Sequence, residues 1–348
     1  MKVTAIYVYP VKALRGIRLD ASHVGPQGLE YDRRFMLCRV NDDGSLAKMQ
    51  MSEYAECALF EQSIADEHVS VQYLKPKGEP LVAPHPKQDE TLAIPLNPAT
   101  DSLERAEINL HQSMVSAYRM GEAYDEWFTA CFGFNTTLLY IGPERRPVLG
   151  TFSPRNKVEA DAPTAQKGWL SSVSSYVFGS QKEEDPDWLT FTDMAPLMLT
   201  TETSLTNVRA RLQSGEVDMV KFRPNVVVTG EDEFDEDYWA EMSINGQPGF
   251  SLTKLCNRCV SLNINYETGR FETSGDGAVL KHLTKDRRVD PGNKWSPAFG
   301  RYAFLADGVD GVDLAVGDEV QVTRRTTERP KWDWPLKSKG AGRYYNYS

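Results

Sequence analysis

Val3-Thr4-Ala5-Ile6-Tyr7-Val8-Tyr9-Pro10-Val11 is built mostly from β-branched and aromatic residues, with Pro10 near its end. Such residues fit a pleated, half-buried surface, and proline is tolerated at a strand's edge or end, so the chain opens as a β-strand. Downstream, Arg34-Phe35-Met36-Leu37-Cys38-Arg39-Val40 runs into Asn41-Asp42-Asp43-Gly44, a turn signal that predicts a hairpin into residues 45–51. Further short strands are expected at Val69-Ser70-Val71-Gln72-Tyr73-Leu74 and Leu92-Ala93-Ile94-Pro95-Leu96. The expected class is mainly β with a few helices (α+β). A β-barrel-like unit is placed over residues 1–120, a second β-barrel unit over 121–325, and a tail over 326–348.

Tyr124, Trp127, Phe128 and Cys131 share one face at helical spacing, which predicts a short amphipathic helix over 123–132 packed on the first unit. Residues 152–187 lack periodicity and read as a long surface insertion. Ser204-Leu205-Thr206-Asn207-Val208-Arg209-Ala210-Arg211-Leu212 reads as a helix, with Thr201 or Thr203 as its N-cap. Strands are then expected at 225–229, 260–264, 302–305 and 319–323. No internal repeat and no glycine-rich nucleotide fingerprint is present.

The 348 residues carry 39 basic and 49 acidic side chains, a net charge of −10. That balance disfavours an extended surface for phosphate backbones, so nucleic acid is not an expected partner. It leaves room for a local basic pocket around a small anion. No stretch approaches the ~18 apolar residues of a membrane span. The first residues resemble neither a secretion signal nor an organelle presequence, so a cytoplasmic location is expected. Five cysteines, an odd number without regular spacing, predict reduced thiols and no disulfide framework.

Chemistry is suggested by Leu255-Cys256-Asn257-Arg258-Cys259-Val260-Ser261-Leu262, two thiols three residues apart ahead of an expected strand. A zinc half-site would need a second ligand pair, which the isolated Cys38, Cys57 and Cys131 and the five histidines do not offer. A dithiol redox couple would normally open a helix in a βαβ unit. Two structural cysteines are the plain alternative. Upstream, Lys221-Phe222-Arg223-Pro224-Asn225-Val226-Val227-Val228 sets a guanidinium and an amide before a buried strand, a pairing suited to reading phosphate or a heterocycle's edge.

Tyr9-Pro10-Val11-Lys12, Asp32-Arg33-Arg34-Phe35, Phe222-Arg223-Pro224-Asn225, Cys256-Asn257-Arg258-Cys259 and Thr268-Gly269 together resemble the MOSC family with its amino-terminal β-barrel partner. The likeness is greatest to the amidoxime-reducing components and their bacterial counterparts. Asp193 with Pro196-Leu197, Ser296-Pro297-Ala298-Phe299-Gly300-Arg301-Tyr302 and Val316-Gly317-Asp318-Glu319-Val320 extend the match in family order to about residue 325. Ala13 stands where many relatives carry a hydroxyl residue. The tail after Arg325 has no family counterpart and no cysteine.

The resemblance implies a Mo-molybdopterin cofactor with Cys259 as the protein's thiolate ligand, a soft donor suited to molybdenum. It implies Lys12, Arg34, Arg223, Asn225 and Asn257 as cofactor-binding residues, and Asp193 as a catalytic organiser or proton relay. The implied activity is reduction of N-hydroxylated compounds such as amidoximes, hydroxylamines and N-oxides. Electrons would come from a cytochrome b5-like protein and its reductase, and association with the mitochondrial surface is compatible with this. A monomer is expected. The alternative is a cofactor carrier related to the carboxyl-terminal domain of cofactor sulfurases. Pyridoxal phosphate, also associated with that family, belongs to a sulfurase domain expected to be absent here.

Overall fold

Val3–Val8 is a strand, as its residues predict, but its partner comes from the far half of the chain: it pairs antiparallel with Val226–Val228, Ile6 opposite Val226. The computed structural model describes residues 1–155 and 186–335. Most of the expected insertion (156–185) and the end of the tail (336–348) lie outside the described residues.

Eight strands form a nearly closed, barrel-like sheet. Their order is Ile17–Leu19, Val3–Val8, Val226–Val228, Leu197–Thr201, Ala298–Leu305, Gln247–Asn257, Trp239–Ile244 and Val320–Arg325. The ends meet where Lys2 bridges to Glu319 and the Met1 ammonium donates to Val320 O at 2.9 Å. Closure of this kind removes free sheet edges. Ile6, Leu197, Trp239, Phe250 and Leu305 fill the interior. Thr201 caps the helix Glu202–Arg209 by accepting from Ser204 N at 3.0 Å, which resolves the expected choice of cap.

A second unit is built from a five-stranded sheet and a three-stranded one. The first runs Arg105–Leu110, Ser113–Arg119, Thr136–Tyr140, Phe35–Val40, Leu46–Lys48, and the second Phe60–Ala65, His68–Tyr73, Leu92–Pro95. Phe35, Phe60, Val69, Ile94, Phe128 and Leu138 share its core. The helix Glu122–Phe132 buries Trp127, Phe128 and Cys131 there, and Gly133 ends it in the left-handed conformation at φ 75°. The molecule is thus mostly strands, with three α-helices among the described residues.

Two expectations need correction. The cut at residue 120 does not follow the packing, because the helix and Thr136–Tyr140 bury against the first unit's core while Val3–Val8 belongs to the barrel. Residues 260–263 form a 3₁₀ turn, Val260–Asn263, and only Ile264–Asn265 continues as strand. The apolar alternation of Val260, Leu262 and Ile264 suits a strand. The chain nevertheless turns back, because Leu262 N bonds Cys259 O at 3.3 Å and Asn263 Oδ1 takes Leu280 N at 2.9 Å. The long strand here, Gln247–Asn257, leads into the cysteine pair and was not read from the sequence.

Residues 9–12, which follow the barrel strand Val3–Val8, are bonded to the start of the second unit's strand Phe35–Val40. Arg33 N bonds Tyr9 O at 3.0 Å, Phe35 N bonds Pro10 O at 3.0 Å and Lys12 N bonds Phe35 O at 2.8 Å. This stitch brings the two cores side by side.

Beneath the barrel lies Glu236, fully buried, whose Oε2 accepts from Ser204 Oγ at 2.8 Å while Oε1 has no partner among the described residues. Burial, opposed only in part by Ser204, raises its carboxyl from 4.5 to about 7. A raised carboxylate contributes stability that is complete below the unfolded value and is lost as pH climbs through the folded one. Glu236→Gln, which keeps the Ser204 contact and cannot ionise, should therefore flatten the decline in thermal stability between pH 4.5 and 7. Melting curves across that range check this; an unchanged decline in the variant contradicts it.

Candidate functional site

The ends of three barrel strands and two pieces of the second unit meet in one cleft. Asp193 precedes Leu197–Thr201, Arg223 and Asn225 precede Val226–Val228, and Asn257, Arg258 and Cys259 end Gln247–Asn257. From the other side come Arg33, ahead of Phe35–Val40, and His111, at the tip of the hairpin Arg105–Leu110/Ser113–Arg119.

A buried carboxylate organises the floor. Asp32, 1 % exposed, accepts from Tyr9 N at 2.8 Å, Arg33 Nη1 at 2.5 Å and Asn225 Nδ2 at 3.1 Å. Tyr9 is fully buried and donates its hydroxyl to Pro224 O at 3.0 Å. The Arg33 and Arg223 guanidiniums stack on its ring at 4.2 and 4.3 Å. Both arginines take left-handed backbone, φ 47° and 55°, a costly choice for a side chain of this size and one that clusters at functional sites. Arg223 is further held by Leu14 O at 2.7 Å.

Two expected cofactor contacts change as a result. Arg34 does not face this cleft; its Nη2 donates to Gly142 O at 2.8 Å and Tyr140 Oη at 3.3 Å, beside a separate pocket with Tyr31 and Asn97. Arg33, in the left-handed turn ahead of Phe35–Val40, lines the cleft instead. Asn225 does line the cleft, but its amide is spent: Nδ2 on Tyr7 O and Asp32, Oδ1 on Arg33 and Met198 N. Its role here is to tie Arg33 and Asp32 to the barrel.

Lys12 reaches the cleft only through Asp193, with which it forms an ion pair. Its side chain is 8 % exposed, and burial, partly offset by Asp193, lowers the ammonium to about 8. Asp193 is half exposed, yet packed closely enough by neighbouring atoms that burial alone would raise it; Lys12 and His111 outweigh that and hold it well below the carboxylate range. His111 Nε2 lies 3.3 Å from Asp193 Oδ1, and burial depresses its imidazole to about 4. A neutral ring facing a carboxylate donates from Nε2. Behind this group, fully buried Arg146 donates to Thr190 O, Thr192 O and Asp193 O and fixes the segment's path. His111 and Arg146 were not singled out in the sequence; neither sits in a motif, and the His-Gln tip lacks the usual hairpin signal.

Of the five cysteines only Cys259 is not buried, and it lies in the cleft wall with its Sγ 3.2 Å from Ser261 Oγ. Burial pushes the Cys38 and Cys131 thiols to about 12 and holds Cys57 well above the ordinary thiol value, so these stay protonated. Cys256 accepts from Arg258 Nη1 at 2.9 Å. Four buried polar atoms on cleft residues have no hydrogen-bond partner among the described residues: Asn257 Oδ1, Arg258 Nε, Gln50 Nε2 and Thr192 Oγ1. Buried polar groups are nearly always paired, so such a concentration marks a wall shaped for a polar ligand. Arg33, Arg223 and Arg258 along it suit the wall to negative charge.

Two family models match the chain: the MOSC N-terminal beta barrel domain over residues 1–135 and the MOSC domain over 186–321. Among curated proteins, the molybdenum cofactor sulfurase of Homo sapiens is 25% identical over 320 residues, 91% of this chain but 32% of that protein. The chain thus spans about a third of the sulfurase. Mitochondrial amidoxime-reducing component 1 of Homo sapiens is 22% identical over 331 residues, covering 91% of this chain and 82% of that one. Mitochondrial amidoxime reducing component 2 of Rattus norvegicus is 26% identical over 326 residues, with 91% and 82% covered.

Removing one member of a buried ion pair strands the other. Asp32→Ala is expected to lower folding stability by about 3 kcal/mol, because Arg33 and Asn225 lose their shared acceptor. Urea titration measures this; a loss under about 0.5 kcal/mol, the usual scale of a surface change, contradicts it.

Proposed function

We propose, from this chain's membership of the MOSC-domain proteins, that the cleft takes a molybdenum cofactor and that the protein reduces N-hydroxylated compounds with it. The observation that carries the reading is the single accessible cysteine, Cys259, set in a wall of arginines and unpaired polar atoms. When bound, the cofactor supplies two-electron chemistry that takes an oxygen atom from an N–O group.

The residues present suit that group. Cys259 Sγ would be the protein ligand, a soft sulfur donor in the cleft wall beside Arg258. Among the described residues no three His, Cys, Asp or Glu converge to hold a metal, so a metal at Cys259 relies on ligands brought with it, as a dithiolene does. Arg33 and Arg223, held on Tyr9, present forks to a phosphate. Asn257 Oδ1, Gln50 Nε2 and Thr192 Oγ1 serve the heterocycle's polar edge.

Conversion of an amidoxime to an amidine and water consumes two electrons and two protons. Lys12 Nζ, paired with Asp193 Oδ1 and pulled down to about 8, is an ammonium able to release a proton near neutrality. Asp193, half exposed to the cleft, would pass that proton to the substrate and His111 keeps the carboxylate oriented, the second proton coming from solvent. Electrons come from an external haem-type donor and its reductase. A monomer in the cytoplasm accords with this reading, and no described helix is long and apolar enough to cross a membrane.

The match to the sulfurase supports a second reading, in which the chain binds the cofactor without turnover. Turnover separates the two. Purified with its cofactor, the wild type should hold molybdenum and chain in equal amounts and reduce benzamidoxime under a chemical reductant. Cys259→Ser should lose more than roughly 100-fold of that rate with its circular dichroism unchanged. Full activity in the variant rules out the thiolate ligand, and a loaded but inactive wild type points to the carrier.

A further inference from the structure

Asp290, in the segment between the helix Val279–Thr284 and the strand Ala298–Leu305, is 1 % exposed and accepts three hydrogen bonds. Its Oδ1 takes the Gly292 amide at 2.8 Å and the Trp332 amide at 3.0 Å, and its Oδ2 takes Asn257 Nδ2 at 3.1 Å. With Oδ1 committed to two backbone donors, Oδ2 faces Asn257 and accepts from its Nδ2. The Asn257 amide must therefore turn its nitrogen to Asp290. Its Oδ1 is left buried and unpaired in a residue of the cleft wall.

We infer that Asp290 is a positioning residue that sets the ligand preference of the cleft: by fixing the Asn257 amide, it makes that part of the wall an acceptor that selects a ligand N–H. The preferred group is the ring N–H or amino group of a nitrogen heterocycle. A carbonyl or oxyanion placed there would meet oxygen with oxygen and leave two acceptors unpaired. Arg258, the next residue, offers the converse, a buried Nε–H without a partner. Acceptor and donor on consecutive residues complement a lactam-type edge, in which N–H and C=O adjoin. This deepens the cofactor reading and rests on it, the pterin being the heterocycle concerned.

The orientation depends on a segment outside the family match. Trp332, which gives Asp290 one of its two backbone donors, belongs to the tail beyond the matched domain, and Trp334 donates Nε1 to His111 O at 2.7 Å. The tail thereby touches both sides of the cleft.

The test uses pterin content per folded chain, read from the fluorescence of the oxidised pterin released from purified full-length protein. Asp290→Asn offers an amide donor to Asn257, allows that side chain to turn, and should lower retention of the pterin about tenfold under dilution. Asp290→Asn combined with Asn257→Asp restores the pattern: the new amide donates to one oxygen of the new carboxylate, whose other oxygen faces the cleft as an acceptor. Recovery of pterin retention in this double variant, to within about threefold of wild type, is the expected result. Equal retention in wild type and Asp290→Asn overturns the inference while leaving the cofactor reading intact, and so does a double variant no better than the single one. A wild type that carries no pterin at all refutes the cofactor reading itself. Should Asp290→Asn fold poorly, Asn257→Leu provides the check: it removes the acceptor without touching Asp290, and pterin retained at the wild-type level overturns the inference.

Discussion

The carboxylate of Asp32, buried and shared by the Tyr9 amide, Arg33 and Asn225, is the constraint on which the rest depends. One oxygen holds the strand that leaves the barrel, and the other holds an arginine from the second unit and an asparagine from the barrel's rim. Burying such a charge is costly without complete pairing, and here every partner is also a structural element of the cleft. The two cores therefore cannot shift relative to one another at this point without breaking a fully desolvated contact. Tyr9 inherits its position from the same knot and serves as a spacer with a guanidinium on either face.

From that floor the chemistry divides into two sides. Towards the barrel lie a thiol and orphaned donors and acceptors, suited to holding something polar and anionic. Where the two units face each other lie Lys12, Asp193 and His111, whose ionisation is shifted by burial and by one another. Under the proposed function, holding and proton handling would fall to different side chains of the cleft, and neither set is drawn from one unit alone. Three arginines, Arg33, Arg223 and Arg258, line the cleft although the whole chain is acidic.

Much of this was legible in the sequence, and what was missed has physical causes. The β-rich opening, the hairpin at 41–44, the helix face of Trp127 and Phe128 and the capped helix after Thr201 are local patterns that tertiary contacts reinforce. Pairing of Val3–Val8 with Val226–Val228 is not local, and nothing in either stretch names its partner. Val260–Asn263 turned where alternation suggested a strand, since Asn263 is committed to the Leu280 amide. At the cleft, Cys259, Asp193, Arg223 and Asn257 were placed together by resemblance, and the structure brings them to one wall. Arg33 and Arg34 are chemically alike neighbours, and only the direction of the chain at Phe35 separates them. His111 and Arg146 carry no motif; their roles come from burial beside Asp193, which a sequence does not display.

The central claim is that sulfur from Cys259 completes a metal site inside this cleft. X-ray absorption at the molybdenum K-edge, comparing wild type with Cys259→Ser, addresses it directly. One fewer sulfur neighbour around the metal in the variant, with the metal still bound, is the predicted result. An identical sulfur shell in both proteins would contradict it.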